Sequence, residues 1–144
     1  MPSRTIRKVV AYVVAAEQLL VFIHPRHPEV GLQVPAGTIE RNESPAVAVL
    51  REAQEETGLS EFGQPQYLGV AAFDMSAYGR PELHERHFFR LPLCQLAPTQ
   101  WRHVETSSST ARPEVFEFSW VPLWAVPELA AGQGAFLHAL QRLA

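Results

Sequence analysis

Apolar residues cluster early in the chain in two runs, 9–16 and 19–23, broken only by Glu17 and Gln18. Both are rich in Val, Ile, Leu and aromatic residues and read as a strand pair. The first is apolar at successive rather than alternate positions, so it is expected to be covered on both faces. Residues 24–31, with Pro25, Pro28 and Gly31, read as a loop. Over 45–57 the period becomes helical. Ala46, Val49, Leu50 and Ala53 form an apolar stripe, and Arg51, Glu52, Glu55 and Glu56 lie on the other side. Ser44 suits the N-cap, Pro45 the first turn, and Gly58 the left-handed residue that ends the helix. Strands are expected at 66–73, 87–91 and 115–121, the last alternating Phe116, Phe118 and Trp120 on one face. Residues 97–113 carry Pro98, Pro113 and the serine run 107–109, and are expected to form a mobile surface loop. After Pro127, with Gly132 and Gly134 as interruptions, Phe136, Leu137, Leu140 and Leu143 predict a C-terminal helix. This order of elements predicts an α/β fold in which a sheet lies between helices.

The chain has 144 residues, enough for one domain with its own core, and no linker or internal repeat divides it; residues 1–144 are read as one domain. The net charge of −3 argues against a nucleic-acid polymer or an anionic membrane as partner, since either calls for a basic excess. A small phosphorylated substrate stays compatible, because bound metal supplies positive charge locally. A single cysteine, Cys94, permits no intrachain disulfide; its apolar neighbours predict that it is buried. The first apolar run lacks a small-residue cleavage site and is closed by Glu17 and Gln18, so it is not read as a signal peptide. No run reaches the roughly 20 apolar residues of a membrane span. A cytoplasmic protein is the expectation.

Glu52, Glu55 and Glu56 crowd one helical surface. Like charges at these spacings each cost roughly 0.2–0.5 kcal/mol, and carboxylates near a helix C-terminus also oppose its dipole. A hard divalent cation reverses the sign of that interaction, because Mg²⁺ and Mn²⁺ take oxygen ligands. Arg51, four residues before Glu55, is placed to hold one carboxylate by a bidentate contact. Taken alone, the same pattern also fits the solvated acidic face of an amphipathic helix.

The surrounding residues favour the metal. Residues 37–59, GTIERNESPAVAVLREAQEETGL, resemble the Nudix box, whose form is G-x5-E-x7-R-E-U-x-E-E-x-G-U with U apolar. Gly37, Glu43, Arg51, Glu52, Ala53, Glu55, Glu56, Gly58 and Leu59 match its fixed positions. The resemblance implies an α/β/α sandwich with a mixed β-sheet and a loop–helix–loop motif that binds divalent metal, Mg²⁺ with Mn²⁺ as substitute, against a diphosphate. It implies Glu52, Glu55 and Glu56 as metal ligands, joined by the Gly37 carbonyl, with Glu43 supporting the box and Arg51 orienting the glutamates. The implied reaction is attack of water on phosphorus, cleaving the pyrophosphate bond of a nucleoside diphosphate derivative. The base is either a box glutamate, which points to Glu52, or one from a distant segment, for which Glu114 and Glu117 are the candidates. Two positions depart from the commonest form. Ala36 stands where many members have glycine. Asn42 precedes the first box glutamate, and Asn tolerates a left-handed turn.

The attached group is not legible. Met75 stands where hydrolases of ADP-ribose have a proline, and Tyr78 falls one place late for the tyrosine of diadenosine polyphosphate hydrolases. Arg26 and His27, in the loop before the box, are candidates for a phosphate contact or a solvated loop. Glu85, with Arg86 and His87, is a candidate for the polar side of the cleft, while Phe88 and Phe89 read as core. Trp101, beside Arg102 and His103, either stacks on a base or anchors its loop. A ligand-sensing module that kept the fold without turnover is the alternative from another class, and intact Glu52, Glu55 and Glu56 argue against it. The chain is read as monomer or homodimer; Trp124 is either a dimer contact or part of the C-terminal core.

Overall fold

The computed structural model describes residues 4–105 and 113–144. The predicted strand pair is present as β1 (Arg4–Ala15) and β2 (Gln18–Ile23), antiparallel with Val14 opposite Leu19. Their turn is made by Ala16 and Glu17, both with positive φ (50° and 61°), the geometry that matches the twist of a two-residue hairpin. The turn therefore lies one residue earlier than the polar Glu17-Gln18 break, and Gln18 already belongs to β2. β3 (Ala36–Thr38), α1 (Pro45–Thr57), β4 (Gln66–Asp74), β5 (Glu82–Pro92), β6 (Gln100–Glu105), β7 (Glu114–Pro122) and α2 (Leu137–Arg142) follow.

The strands form one mixed sheet in the order β4-β5-β1-β2-β7-β6, with β3 also paired to β1. β1 and β5 run parallel over eleven residue pairs, Arg4–Glu82 to Val14–Pro92, and the other pairings are antiparallel. As its unbroken apolar run predicted, β1 is buried on both faces. Val9, Ala11 and Val13 join the core under α1 with Val49, Ala53, Phe89 and Phe118. Val10, Tyr12 and Val14 join the opposite core with Leu19, Phe88 and Leu140 of α2. The fold is thus the α/β arrangement of helices on both faces of a mixed sheet.

Residues 33–38 prise β1 and β2 apart beyond their hairpin end. The Ala11 N–H donates to the Pro35 carbonyl and the Phe22 N–H to the Gln33 carbonyl, each at 2.8 Å. This wedge lays β3 beside the C-terminal half of α1, with Gly37 against Glu52 and Ala36 bonded to Glu56.

Four expectations need correction. Residues 100–105 are a strand, not a loop: β6 pairs antiparallel with β7 from Gln100–Ser119 to Glu105–Glu114. Pro98 lies just outside it, and alternate residues Trp101, His103 and Glu105 turn inward, a two-residue period masked by polar composition. Residues 106–112, the rest of the expected loop, lie outside the described residues. β5 starts five residues before the expected His87, because buried His84 and Arg86 hid its inward face. The C-terminal helix is shorter than its stripe: Leu140 is buried, while Leu143 is exposed at its end. Cys94 is exposed, since the chain has already left β5 there and its N–H pairs with the Glu61 carbonyl at 2.7 Å. Trp124 is exposed, while its neighbours Leu123 and Val126 pack into the core. Among the described residues no helix is long and apolar enough to cross a membrane.

Candidate active site

α1 is held at both ends by the residues expected of it. Ser44 accepts a hydrogen bond from the Val47 N–H at 3.2 Å, Pro45 fills the first position, and Gly58 takes the left-handed conformation (φ 77°). Two inward side chains of β6 satisfy the last carbonyls. The Trp101 indole N–H donates to the Thr57 carbonyl at 2.9 Å, and His103 Nε2 lies 2.9 Å from the Glu55 carbonyl. Those contacts fix the end of the helix that carries the glutamates.

Arg51 organises the other side. Its guanidinium grips Glu43 with two bonds, Nε to Oε2 at 2.7 Å and Nη2 to Oε1 at 2.8 Å. Nη2 also donates to the Thr38 carbonyl at 2.9 Å, and Nη1 to Glu52 Oε1 at 2.8 Å. The bidentate partner is therefore Glu43, from the loop before the helix; Glu55 is reached only at 3.5 Å. Bonding to Arg51 holds the Glu43 carboxyl down to about 2, and the same bond raises the pKa of Arg51 and keeps it charged. The loop itself turns at Asn42, whose φ of 66° is the left-handed geometry expected there.

Glu52 lies against Gly37, where a β-carbon would collide with its carboxyl group. Glu56 Oε1 accepts the Ala36 N–H at 3.0 Å. Burial raises the pKa of both Glu52 and Glu56, most strongly for Glu56, whose negative neighbour Glu52 adds to the effect. Glu52, Glu55 and Glu105 each present an oxygen within 4.8 Å of the others. Glu105 is buried at the end of β6, directly opposite Glu114 of β7. Gly37, Thr38, Arg51, Glu52, Glu55, Glu56, Glu105 and Glu114 line one cleft of about 550 Å³. An all-oxygen donor set without His or Cys suits a hard divalent cation such as Mg²⁺ or Mn²⁺. A larger cavity, about 770 Å³, opens elsewhere, with Gln33, Phe73, Tyr78, Leu129 and Gln133 in its wall. The smaller cleft is the candidate site, because the carboxylates line it.

The structure thus brings Glu52, Glu55, Glu56, Gly37, Arg51 and Glu114 together and adds Glu105. The sequence carried a faint signal for Glu105: it is the third inward position of the run Trp101, His103, Glu105 in a segment read as loop. Arg26, His27, Glu85 and Trp101 do not line the carboxylate cleft. Arg26 donates to the Pro113 carbonyl at 3.3 Å, and exposed His27 lies 3.7 Å from Glu29. Glu85 lies 3.4 Å from Arg7 and 3.6 Å from His87. Trp101 stacks on Phe118, centroids 5.1 Å apart, against the core beneath α1. Glu114 is 3.8 Å from His24.

A family model described as the NUDIX domain matches residues 5–140, and the chain belongs to that family. It is a Nudix hydrolase, a class whose chemistry is hydrolysis of pyrophosphate bonds. Solved structures of the same fold include a MutT NUDIX hydrolase from Burkholderia pseudomallei, with 19% identity and a TM-score of 0.63. That match covers 93% of this chain and 96% of the other. A NUDIX hydrolase from Nitrosomonas europaea is 21% identical with a TM-score of 0.65, over 93% and 88% of the two chains. A UDP-X diphosphatase is 17% identical with a TM-score of 0.65, over 95% of this chain and 63% of that one. No curated protein sequence matches the chain significantly.

Proposed function

We propose that the chain is a divalent-metal-dependent hydrolase of small nucleoside diphosphate derivatives, cleaving the phosphoanhydride bond. Nucleotide sugars, dinucleoside polyphosphates and nucleoside triphosphates all present that bond. The observation that carries this reading is the convergence of Glu52, Glu55 and Glu105 oxygens within 4.8 Å, in the cleft that Gly37 and Glu56 also line. A cleft so acidic repels a diphosphate unless cations intervene. Glu52, Glu55, Glu56 and Glu105 with the Gly37 carbonyl would hold Mg²⁺ or Mn²⁺ there. The cation, when bound, neutralises phosphoryl oxygens and acidifies the attacking water.

The protein's own part is positioning and proton transfer. Arg51 fixes Glu52 and, through Glu43 and the Thr38 carbonyl, ties the loop to the helix. The proton of the attacking water passes to a carboxylate of the cleft. Glu114 is our candidate, because it lines the cleft yet belongs to a strand separate from the box; Glu52 is the box candidate. A cytoplasmic setting accords with a single cysteine, which leaves no intrachain disulfide to maintain.

The experiment is a panel of nucleoside diphosphate derivatives assayed for phosphate or pyrophosphate release with Mg²⁺, Mn²⁺ or EDTA. Metal-dependent turnover of one class is expected, and its loss in a Glu55→Gln/Glu56→Gln double variant that keeps its circular dichroism spectrum. Full activity in that variant would remove the helix from the mechanism.

A further inference from the structure

The cleft holds six glutamates, Glu40, Glu52, Glu55, Glu56, Glu105 and Glu114, and one arginine. Arg51 is fully engaged by Glu43, Glu52 and the Thr38 carbonyl. A substrate with two or more phosphates brings further negative charge to a cleft whose one lining arginine is already committed. We infer that Lys8, the only lysine in the chain, grips the substrate's second phosphate where the diphosphate leaves the carboxylate cleft. This rests on the hydrolase reading above.

Lys8 lies on β1 directly between Thr38 of β3 and Arg86 of β5. Its Nζ donates to Thr38 Oγ1 at 2.8 Å, and Thr38 lines the cleft. The alternation of β1 puts Lys8 on the face opposite Val9 and α1, half-buried beside Thr38. The ammonium group is therefore joined to the cleft through Thr38, whose hydroxyl it reaches and whose residue lines the cleft wall. Among the described residues its one side-chain hydrogen bond is that to Thr38, and it takes part in no ion pair. One bond to a hydroxyl leaves two ammonium protons for a ligand.

Nearby cations are otherwise committed. Arg80 lies 3.5 Å from Glu82, and Arg86 donates to the Ala131 carbonyl with its guanidinium 4.2 Å over the Phe73 ring. Phe73 and Ala131 also line the larger cavity, which places Arg86 between that cavity and Lys8. A diphosphate running from the carboxylates past Thr38 meets Lys8 first.

The single lysine makes a direct test possible. An amine-reactive succinimidyl ester labels Lys8, and peptide mapping separates that adduct from the α-amino adduct. Inorganic pyrophosphate with Mg²⁺ is expected to slow Lys8 labelling several-fold relative to Mg²⁺ alone. On whichever panel compound the wild type turns over, Lys8→Gln is expected to raise KM roughly 10- to 100-fold. Lys8→Arg should restore most of it, with the Mg²⁺-induced shift in Tm unchanged in both variants. A lysine that only props Thr38 would lower Tm without moving KM, and its labelling rate would not respond to pyrophosphate. That pair of results overturns the inference and leaves the hydrolase reading standing. A wild type that turns over nothing, but whose Lys8 is protected by pyrophosphate, keeps the phosphate site and removes the hydrolase reading.

Discussion

The carboxyl group of Glu52 occupies the space that a β-carbon on Gly37 would need. The strand and the helix meet there without any side chain on the strand, so a glutamate from α1 rests directly on β3. Gly37 has no left-handed φ, and its backbone would accept alanine. What alanine breaks is the approach. Because the Glu52 tip is also bonded to Arg51 at 2.8 Å, it cannot swing aside without leaving that partner.

Gly37→Ala should therefore fold and lose activity. Misplacing a reacting group by about 1 Å costs on the order of 10²-fold, and a drop of that size in kcat is the expected result. The check is kinetics together with a near-ultraviolet circular dichroism spectrum. An active Gly37→Ala enzyme would show that Glu52 has no fixed role.

Glu43 gives the fold a specific acid sensitivity. Its folded pKa lies near 2, below the ordinary 4.5, because Arg51 bonds its charged form. A depressed carboxylate pKa contributes stability that is present above about 4.5 and lost as pH falls through 2. Glu43→Gln should lower stability by about 2 kcal/mol at neutral pH, the scale of a charged hydrogen bond. The gap between wild type and variant should narrow steadily from pH 4.5 towards pH 2. Thermal melts across that range test it, and a gap independent of pH would mean that Arg51 does not stabilise the ionised group.

The sequence showed most clearly what obeys a period or a fixed spacing. β1 announced its double burial through consecutive apolar residues, and α1 announced its ends through Ser44, Pro45 and Gly58. The box gave the loop–helix frame and its glutamates. Residues 100–105 stayed hidden because the inward face of β6 is Trp101, His103 and Glu105, with no aliphatic residue to mark it. Glu105 was missed for the same reason: it enters the site through strand pairing, a long-range contact that no local spacing reports. His84 and Arg86 blurred β5 likewise, since buried polar side chains break the hydrophobic pattern that a strand is read from. The wedge at 33–38 and the pairing of Lys8 with Thr38 depend on how β1 and β2 diverge, and that is a property of the assembled sheet.

Trp101 separates a base-stacking role from an anchoring one. Its indole N–H bonds the Thr57 carbonyl, and its ring stacks on Phe118. Trp101→Phe keeps a ring in the core and removes the hydrogen bond, leaving a helix-terminal carbonyl without that donor. The expected loss is about 1 kcal/mol of stability, a fall of a few degrees in Tm, with KM unchanged. A rise in KM without loss of stability would return Trp101 to the substrate site.

Glu105 lets metal binding be read without any substrate. Burial raises the pKa of Glu52 and Glu56, so their ionised forms are less favourable in the folded state, and a bound cation would offset that. A ligand that binds only the folded state adds about 2.7 kcal/mol at roughly 100 times its Kd, so Mg²⁺ should raise Tm by several degrees and EDTA should reverse the rise. Glu105→Gln removes one of the three oxygens that lie within 4.8 Å of one another and should weaken that response, moving its midpoint to higher Mg²⁺. Glu114→Gln, across the ladder from Glu105, should leave the Mg²⁺ midpoint in place and reduce kcat instead. Titrating Tm against Mg²⁺ for the three proteins, beside their turnover, assigns the two glutamates. If Glu114→Gln shifts the metal midpoint and Glu105→Gln does not, their roles are exchanged.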